Sequence, residues 1–117
     1  HYLKLEKRGD FEMPRFITMA RYTNAGTGGL IEGDTDRKAV MEAMHQSVGA
    51  TLVDYSLTRG QYDFYVISDA DSFDQVAAMT LKAKATGTVE NPVILEAIDV
   101  NQIRQTVSKV EFTPPHK

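Results

Sequence analysis

Four stretches of the chain have the pattern of β-strands, the first and the last with apolar residues on both faces, and two stretches between them follow helical spacing. Alternation with a period of two residues is typical of a β-strand. The predicted strands are Arg15 to Thr23, Ala50 to Thr58, Gln61 to Ser68 and Val93 to Val100. Helical spacing and capping residues predict one helix from Asp34 or Thr35 to about Val48 and another from Asp71 or Ser72 to Gly87. The pattern therefore predicts the order strand-helix-strand-strand-helix-strand.

The first predicted helix has a buried stripe and an outer side. Its apolar stripe is Val40, Met41, Met44 and Val48, and its outer side carries Arg37, Lys38, Glu42 and Gln46. In the second helix, Ser72 and Gln75 have the spacing of a capping box. Its predicted inner stripe is Phe73, Val76, Ala77, Thr80 and Lys84. Both helices should pack on a sheet.

Two further segments complete this interpretation. Asn24 to Gly33 contains four glycines, which predicts a loop, and its glycines match neither the dinucleotide fingerprint nor the Walker pattern. Asn101 to Val110 predicts a short C-terminal helix, with Ile103 and Val107 as its buried contacts.

A short hairpin is predicted at Arg59-Gly60, where glycine supplies the positive φ of a tight turn. With a two-residue loop, Ser56 would face Asp63 and Asp54 would face Tyr65. The face turned to the helices would then be Val53, Tyr55, Leu57, Tyr62, Phe64 and Val66. The opposite, open face would be Asp54, Ser56, Thr58, Gln61, Asp63 and Tyr65.

The predicted fold class is α+β, with a ferredoxin-like βαββαβ order, a four-stranded antiparallel sheet and both helices on one face. Such a sheet leaves its second face bare. That face carries Ile17, Met19, Ile94 and Ile98 or their strand neighbours. Because so many apolar groups need cover, we expect two sheets to pair in a homodimer or higher oligomer.

Composition sets limits on the class of protein. The chain has 117 residues, no cysteine and a formal net charge of −3, which excludes disulfides and thiolate chemistry and gives no electrostatic footprint for nucleic acid. It has no run of apolar residues long enough for a membrane span and no export signal, so we expect a cytoplasmic protein. Residues 1–12 are interpreted as an N-terminal extension or appended sequence, 13–100 as the domain and 101–117 as a C-terminal helix and tail.

Five residues are candidates for chemistry. His45 and Asp63 are candidate general bases, and Tyr22, Asp54 and Tyr65 are candidates for binding a ligand. Two of them also have a structural interpretation: Asp63 as an acceptor for backbone N–H groups at the hairpin or a partner of Arg59, and His45 as a residue at the edge of the apolar stripe. No spacing typical of a metal site is present.

At the hairpin, Gly60-Gln61-Tyr62-Asp63 follows Leu57-Thr58 and precedes Phe64-Tyr65-Val66-Ile67, and this stretch resembles the GYD domain family. The resemblance extends from Met13 to about Asp99. It implies a dimeric α/β barrel, a group that includes cofactor-free oxygenases, decarboxylases and stress-induced proteins. It implies no particular activity.

Three functions are consistent with these observations. The first is a binding or accessory protein whose oligomer encloses a small organic molecule between sheet and helices. The second is a cofactor-independent oxygenase, isomerase or decarboxylase that uses His45 or Asp63 as base and Tyr22 or Tyr65 to orient the substrate. The third is a structural assembly protein. None of them requires a cofactor.

Overall fold

The computed structural model describes residues 13–33 and 36–115. The strands of its sheet are β1 (Arg15–Tyr22), β2 (Thr51–Leu57), β3 (Phe64–Asp69) and β4 (Val89–Ala97). The helices of the described ranges are α1 (Asn24–Glu32), α2 (Arg37–Ser47), α3 (Phe73–Ala85) and α4 (Val100–Val107). The predicted N-terminal extension, residues 1–12, lies outside the described residues, as do Asp34 and Thr35, which were the predicted caps of the first long helix.

The sheet has the strand order β2-β3-β1-β4, and every neighbouring pair is antiparallel. This arrangement confirms the predicted ferredoxin-like α+β fold. Phe16, Thr18 and Ala20 alternate with half-buried neighbours along β1 and are buried on the face that carries the helices. The core therefore lies between the sheet and the helices, and the other face of the sheet stays open.

The glycine-rich segment is a helix, so the prediction of a loop was wrong. Thr23 caps α1 by accepting a 3.1 Å hydrogen bond from the backbone N–H of Gly26. A Cβ on Gly26 would overlap the carbonyl oxygen of Thr88, so the helix packs directly against the backbone that enters β4. This close packing compensates for the low helix propensity of glycine, which costs about 1 kcal/mol per residue.

The two long helices begin and end close to where the sequence predicted. Asp36 caps α2 through a 3.1 Å hydrogen bond from the Ala39 N–H, and Gly49 follows the helix with a φ of +78°. The capping box of α3 is confirmed, since the Gln75 side chain accepts a hydrogen bond from the Ser72 N–H at 3.1 Å. Three stripe predictions need correction, because Val40 and Phe73 are 46% and 51% exposed and Lys84 is exposed.

The hairpin is longer than predicted. β2 ends at Leu57 and β3 begins at Phe64, so six residues connect the strands instead of two. Ser56 therefore pairs with Tyr65 and not with Asp63, and a register shift between Leu52 and Asp54 turns Val53 outward. The positive φ predicted for Gly60 is confirmed at +136°.

The last strand starts earlier than predicted, at Val89, and includes Pro92. Proline is tolerated because β4 is an edge strand whose pairing with β1 shifts register between Met19 and Arg21. Ile94 consequently packs against the core, so on β4 the predicted alternative, its strand neighbours, applies to the open face. Its neighbours Val93 and Leu95 take that place.

The C-terminal helix α4 spans Val100–Val107, and none of its residues is buried. Ile103 and Val107, predicted as buried contacts, are 42% and 58% exposed. No other element of residues 13–33 and 36–115 covers this helix.

Candidate functional site

A cavity of about 380 Å³ lies between the helix-bearing face of the sheet and helices α2 and α3. It forms because α2 packs over β2 while α3 packs towards β4, which leaves a gap above the middle of the sheet. Most of its wall is apolar. The main apolar side chains that line it are Met41, Met44, Phe64, Val66, Val76 and Met79. Such a cavity has the size and character of a small-molecule site.

Two tyrosine hydroxyls form a polar group in the cavity wall. The hydroxyl oxygens of Tyr22 and Tyr55 are 2.7 Å apart, and the Tyr22 ring lies 4.6 Å from the ring of Phe64. Burial, and then the hydrogen bond with Tyr55, raise the pKa of the Tyr22 hydroxyl, so it stays protonated at neutral pH. Tyr22 was a predicted ligand-binding residue. Tyr55 was not, although the alternation of β2 already placed it on the helix-bearing face.

Arg37 also lines the cavity, at the first turn of α2. Its guanidinium lies against α1, where a Cβ on Gly29 would be 3.3 Å from Nη2. Its positive charge acts on the Tyr22 hydroxyl in the direction opposite to burial and lowers its pKa. The sequence assigned Arg37 to the outer side of the helix, and this prediction was wrong because the side chain lines the cavity and its guanidinium lies against α1.

His45 is buried and not at an exposed boundary, at 1% exposure. Its Nδ1 lies 2.8 Å from the Met41 carbonyl oxygen and its Nε2 lies 2.7 Å from Ser68 Oγ. Because a carbonyl oxygen can only accept, Nδ1 carries the hydrogen and Nε2 accepts from the Ser68 hydroxyl. Burial lowers the pKa of His45, which keeps the ring neutral. The ring borders the cavity, yet both nitrogens are engaged.

Asp63 lies at the end of the hairpin connection, next to β1. Its Oδ2 accepts a 2.8 Å hydrogen bond from the backbone N–H of Tyr22, and its own N–H donates to the Ala20 carbonyl oxygen at 2.9 Å. The carboxylate therefore accepts from a backbone N–H, as its structural interpretation expected, but the donor lies on β1 and not in the hairpin. It is not among the residues that line the cavity.

The two remaining candidates lie on the open face of the sheet. Tyr65 donates a 2.7 Å hydrogen bond to Asp54 Oδ2, and this bond raises the pKa of Tyr65. The predicted ligand-binding set is therefore divided: Asp54 and Tyr65 contact each other on one face, and Tyr22 lines the cavity on the other.

The open face around them is largely apolar. Its apolar residues are Ile17, Met19, Tyr65, Ile67, Val93 and Leu95, on three neighbouring strands. At its edge, Arg15 forms a bidentate ion pair with Asp69, with distances of 2.8 and 3.0 Å.

In the described ranges no three His, Cys, Asp or Glu side chains come together as metal ligands. None of the helices described there has the length and hydropathy of a membrane span.

The GYD domain model matches residues 16–107, which is most of the chain. The chain belongs to the GYD domain family. A relative of this GYD protein is the glutamine synthetase and cystathionine beta-lyase binding protein of Thermus thermophilus. The two are 30% identical over 88 residues, which cover 75% of this chain and 92% of the relative. No solved structure matches the chain.

Proposed function

We propose that this GYD domain protein is a homo-oligomeric accessory protein that binds a small organic molecule in the cavity between its sheet and its helices. The cavity itself carries the proposal. Its volume of about 380 Å³ lies within the usual range for ligand sites, and apolar walls combined with a few polar groups are typical of them.

Binding is favoured over catalysis by the hydrogen bonds of the two candidate bases. Nε2 of His45 accepts from Ser68, and Oδ2 of Asp63 accepts from the backbone of Tyr22. A cofactor-independent enzyme is the alternative, since His45 borders the cavity. In that reaction His45 would first have to release Ser68 before it could take a proton from a substrate.

An accessory role is supported by the Thermus relative, whose name describes a protein that binds two enzymes. By analogy, the partners of this chain would include other proteins. The exposed apolar residues of the C-terminal segment, among them Ile103, Val107 and Phe112, offer a surface of suitable character.

Self-association is proposed from the open face of the sheet. Ile17 is flanked by Ile67 on β3 and Leu95 on β4, so an apolar strip crosses three strands. Packing two such faces against each other would remove this strip from water.

The cavity can be tested with a neutral apolar dye, N-phenyl-1-naphthylamine, whose fluorescence rises in an apolar site. Ala83 of α3 lines the cavity, whereas Ala78 of the same helix is exposed. Ala83→Phe should fill the cavity and weaken dye binding roughly tenfold or more, and the matched Ala78→Phe should bind the dye as the wild type does. Equal binding by all three proteins, or no binding by the wild type, would contradict the proposal.

A further inference from the structure

We infer that the ligand of the cavity is an apolar monocarboxylic acid whose carboxylate binds to Arg37 and to the Tyr22–Tyr55 hydroxyl pair. This inference rests on the proposed function and specifies its ligand. It follows from three properties of the cavity: one cation near one end, one unused hydroxyl hydrogen beside it, and a neutral, apolar wall beyond these two groups.

The first property is the charge of Arg37. It is the one side chain with a formal charge at neutral pH among the residues that line the cavity. No carboxylate of residues 13–33 and 36–115 forms an ion pair with it. A half-buried guanidinium favours an anion, and its planar fork matches the two oxygens of a carboxylate.

The second property is the hydrogen-bonding capacity of the tyrosine pair. Tyr22 and Tyr55 have two hydroxyl hydrogens between them, and the 2.7 Å bond within the pair uses one. The other is available to donate to a ligand oxygen. Arg37 is close enough to Tyr22 for its charge to act on that hydroxyl, so both donors serve the same end of the cavity.

The third property is the wall beyond these donors. From Arg37 to His45, α2 advances eight residues, or about 12 Å along its axis. At the far end His45 already has partners at both ring nitrogens. Between the two ends lie Met41 and Met44, whose flexible side chains adapt to apolar ligands.

These properties select among anionic ligands. A second negative charge on the ligand would face Met44 or Val76 in an apolar wall, which disfavours a dicarboxylate. One guanidinium balances one negative charge, which favours a carboxylate over a doubly charged phosphate monoester. A positively charged ligand would be repelled by Arg37.

The experiment compares decanoate with decan-1-ol, which has the same carbon chain but no charge, as competitors of N-phenyl-1-naphthylamine at pH 7.5. The wild type should bind decanoate at least roughly tenfold more tightly than decan-1-ol, since hydrogen bonds to charged groups are among the stronger ones. Arg37→Gln should remove this preference, because it weakens the binding of decanoate far more than that of decan-1-ol. Lys38→Gln is the matched control, because it removes the same charge from an exposed neighbouring position on α2.

The possible results separate the two proposals. If dye and decan-1-ol bind but decanoate has no advantage, or if Arg37→Gln keeps the advantage, the inference about the carboxylate is wrong and the cavity remains a binding site. If Lys38→Gln loses the advantage as fully as Arg37→Gln, the preference comes from general charge and the inference is also overturned. If neither the dye nor either competitor binds to the wild type, the proposed function itself fails.

Discussion

The backbone N–H of Tyr22 donates a 2.8 Å hydrogen bond to the carboxylate of Asp63, the aspartate of the Gly-x-Tyr-Asp motif. The backbone N–H of Asp63 in turn donates to the Ala20 carbonyl oxygen. Together the two bonds fix the end of β1 just beyond its register shift between Met19 and Arg21. Since Tyr22 lines the cavity, the motif holds one wall of the candidate site in place.

Replacing Asp63 with alanine should destabilise the fold because the N–H of Tyr22 would lose its acceptor. A lost hydrogen bond to a charged acceptor costs about 1.5–3 kcal/mol. Asp63→Asn keeps an acceptor oxygen and should lose less stability than Asp63→Ala. Asp71→Ala removes an exposed carboxylate and should lose almost no stability. Urea unfolding of the three variants measures these differences. Equal stability of Asp63→Ala and Asp71→Ala would contradict the structural role.

Two glycines of α1 should respond in opposite ways to alanine. A Cβ on Gly26 would overlap the Thr88 carbonyl oxygen, whereas one on Gly28 would meet nothing within 4 Å. We expect Gly26→Ala to lower the free energy of unfolding by about 2 kcal/mol or more, because backbone must move. Gly28→Ala should raise it by about 0.4–1 kcal/mol. Thermal or urea unfolding tests this pair, and a stabilising Gly26→Ala would show that α1 does not pack on Thr88.

The buried His45 should make stability depend on pH. Its pKa is lowered from the ordinary value of 6.5 in the folded protein, so the unfolded chain binds a proton at a higher pH than the folded one. The contribution of neutral His45 to the free energy of unfolding is complete above about pH 6.5. It is lost as pH falls from there towards the lowered folded pKa, by at most about 1.4 kcal/mol per pH unit. Wild type should therefore lose its stability advantage over His45→Gln between pH 7 and pH 5. A constant difference between the two proteins across this range would contradict a lowered pKa.

The proposed oligomer should depend on Ile17, at the centre of the open sheet face between Ile67 and Leu95. Ile17→Lys would place an ammonium group in the proposed interface and should reduce the solution mass to that of a single chain. Leu81→Lys, on the exposed side of α3, should keep the mass of the wild type. Light scattering coupled to size exclusion measures both. A wild type that is already monomeric at micromolar concentration would contradict the shared-sheet proposal.

Local patterns predicted much of the fold. The strand pattern of β1 placed Ile17 and Met19, or their strand neighbours, on the open face, and the Ser72–Gln75 spacing predicted the start of α3. These signals depend on residues close in sequence, so no tertiary contact was needed to interpret them.

The failed predictions depend on contacts between distant residues. Four glycines indicate a loop, yet three of them lie in helix α1, where Gly26 packs against Thr88, which lies 62 positions later. The pairing of Tyr22 with Tyr55 requires the true register of β2, which a bulge shifts. Arg37 lines the cavity and its guanidinium lies against α1, a helix that the sequence did not predict. The polar end of the cavity, with Arg37 and the Tyr22–Tyr55 pair, was therefore beyond local sequence patterns.

The central claim, that the cavity holds a small organic ligand, is tested most directly by methyl NMR of methionine-labelled protein during titration with decanoate. Met41, Met44 and Met79 line the cavity, whereas Met19 lies on the opposite face of the sheet. We predict saturable shifts of the three lining methyl signals and an unchanged Met19 signal. No shift at the three cavity methionines, or a shift confined to Met19, would contradict the account.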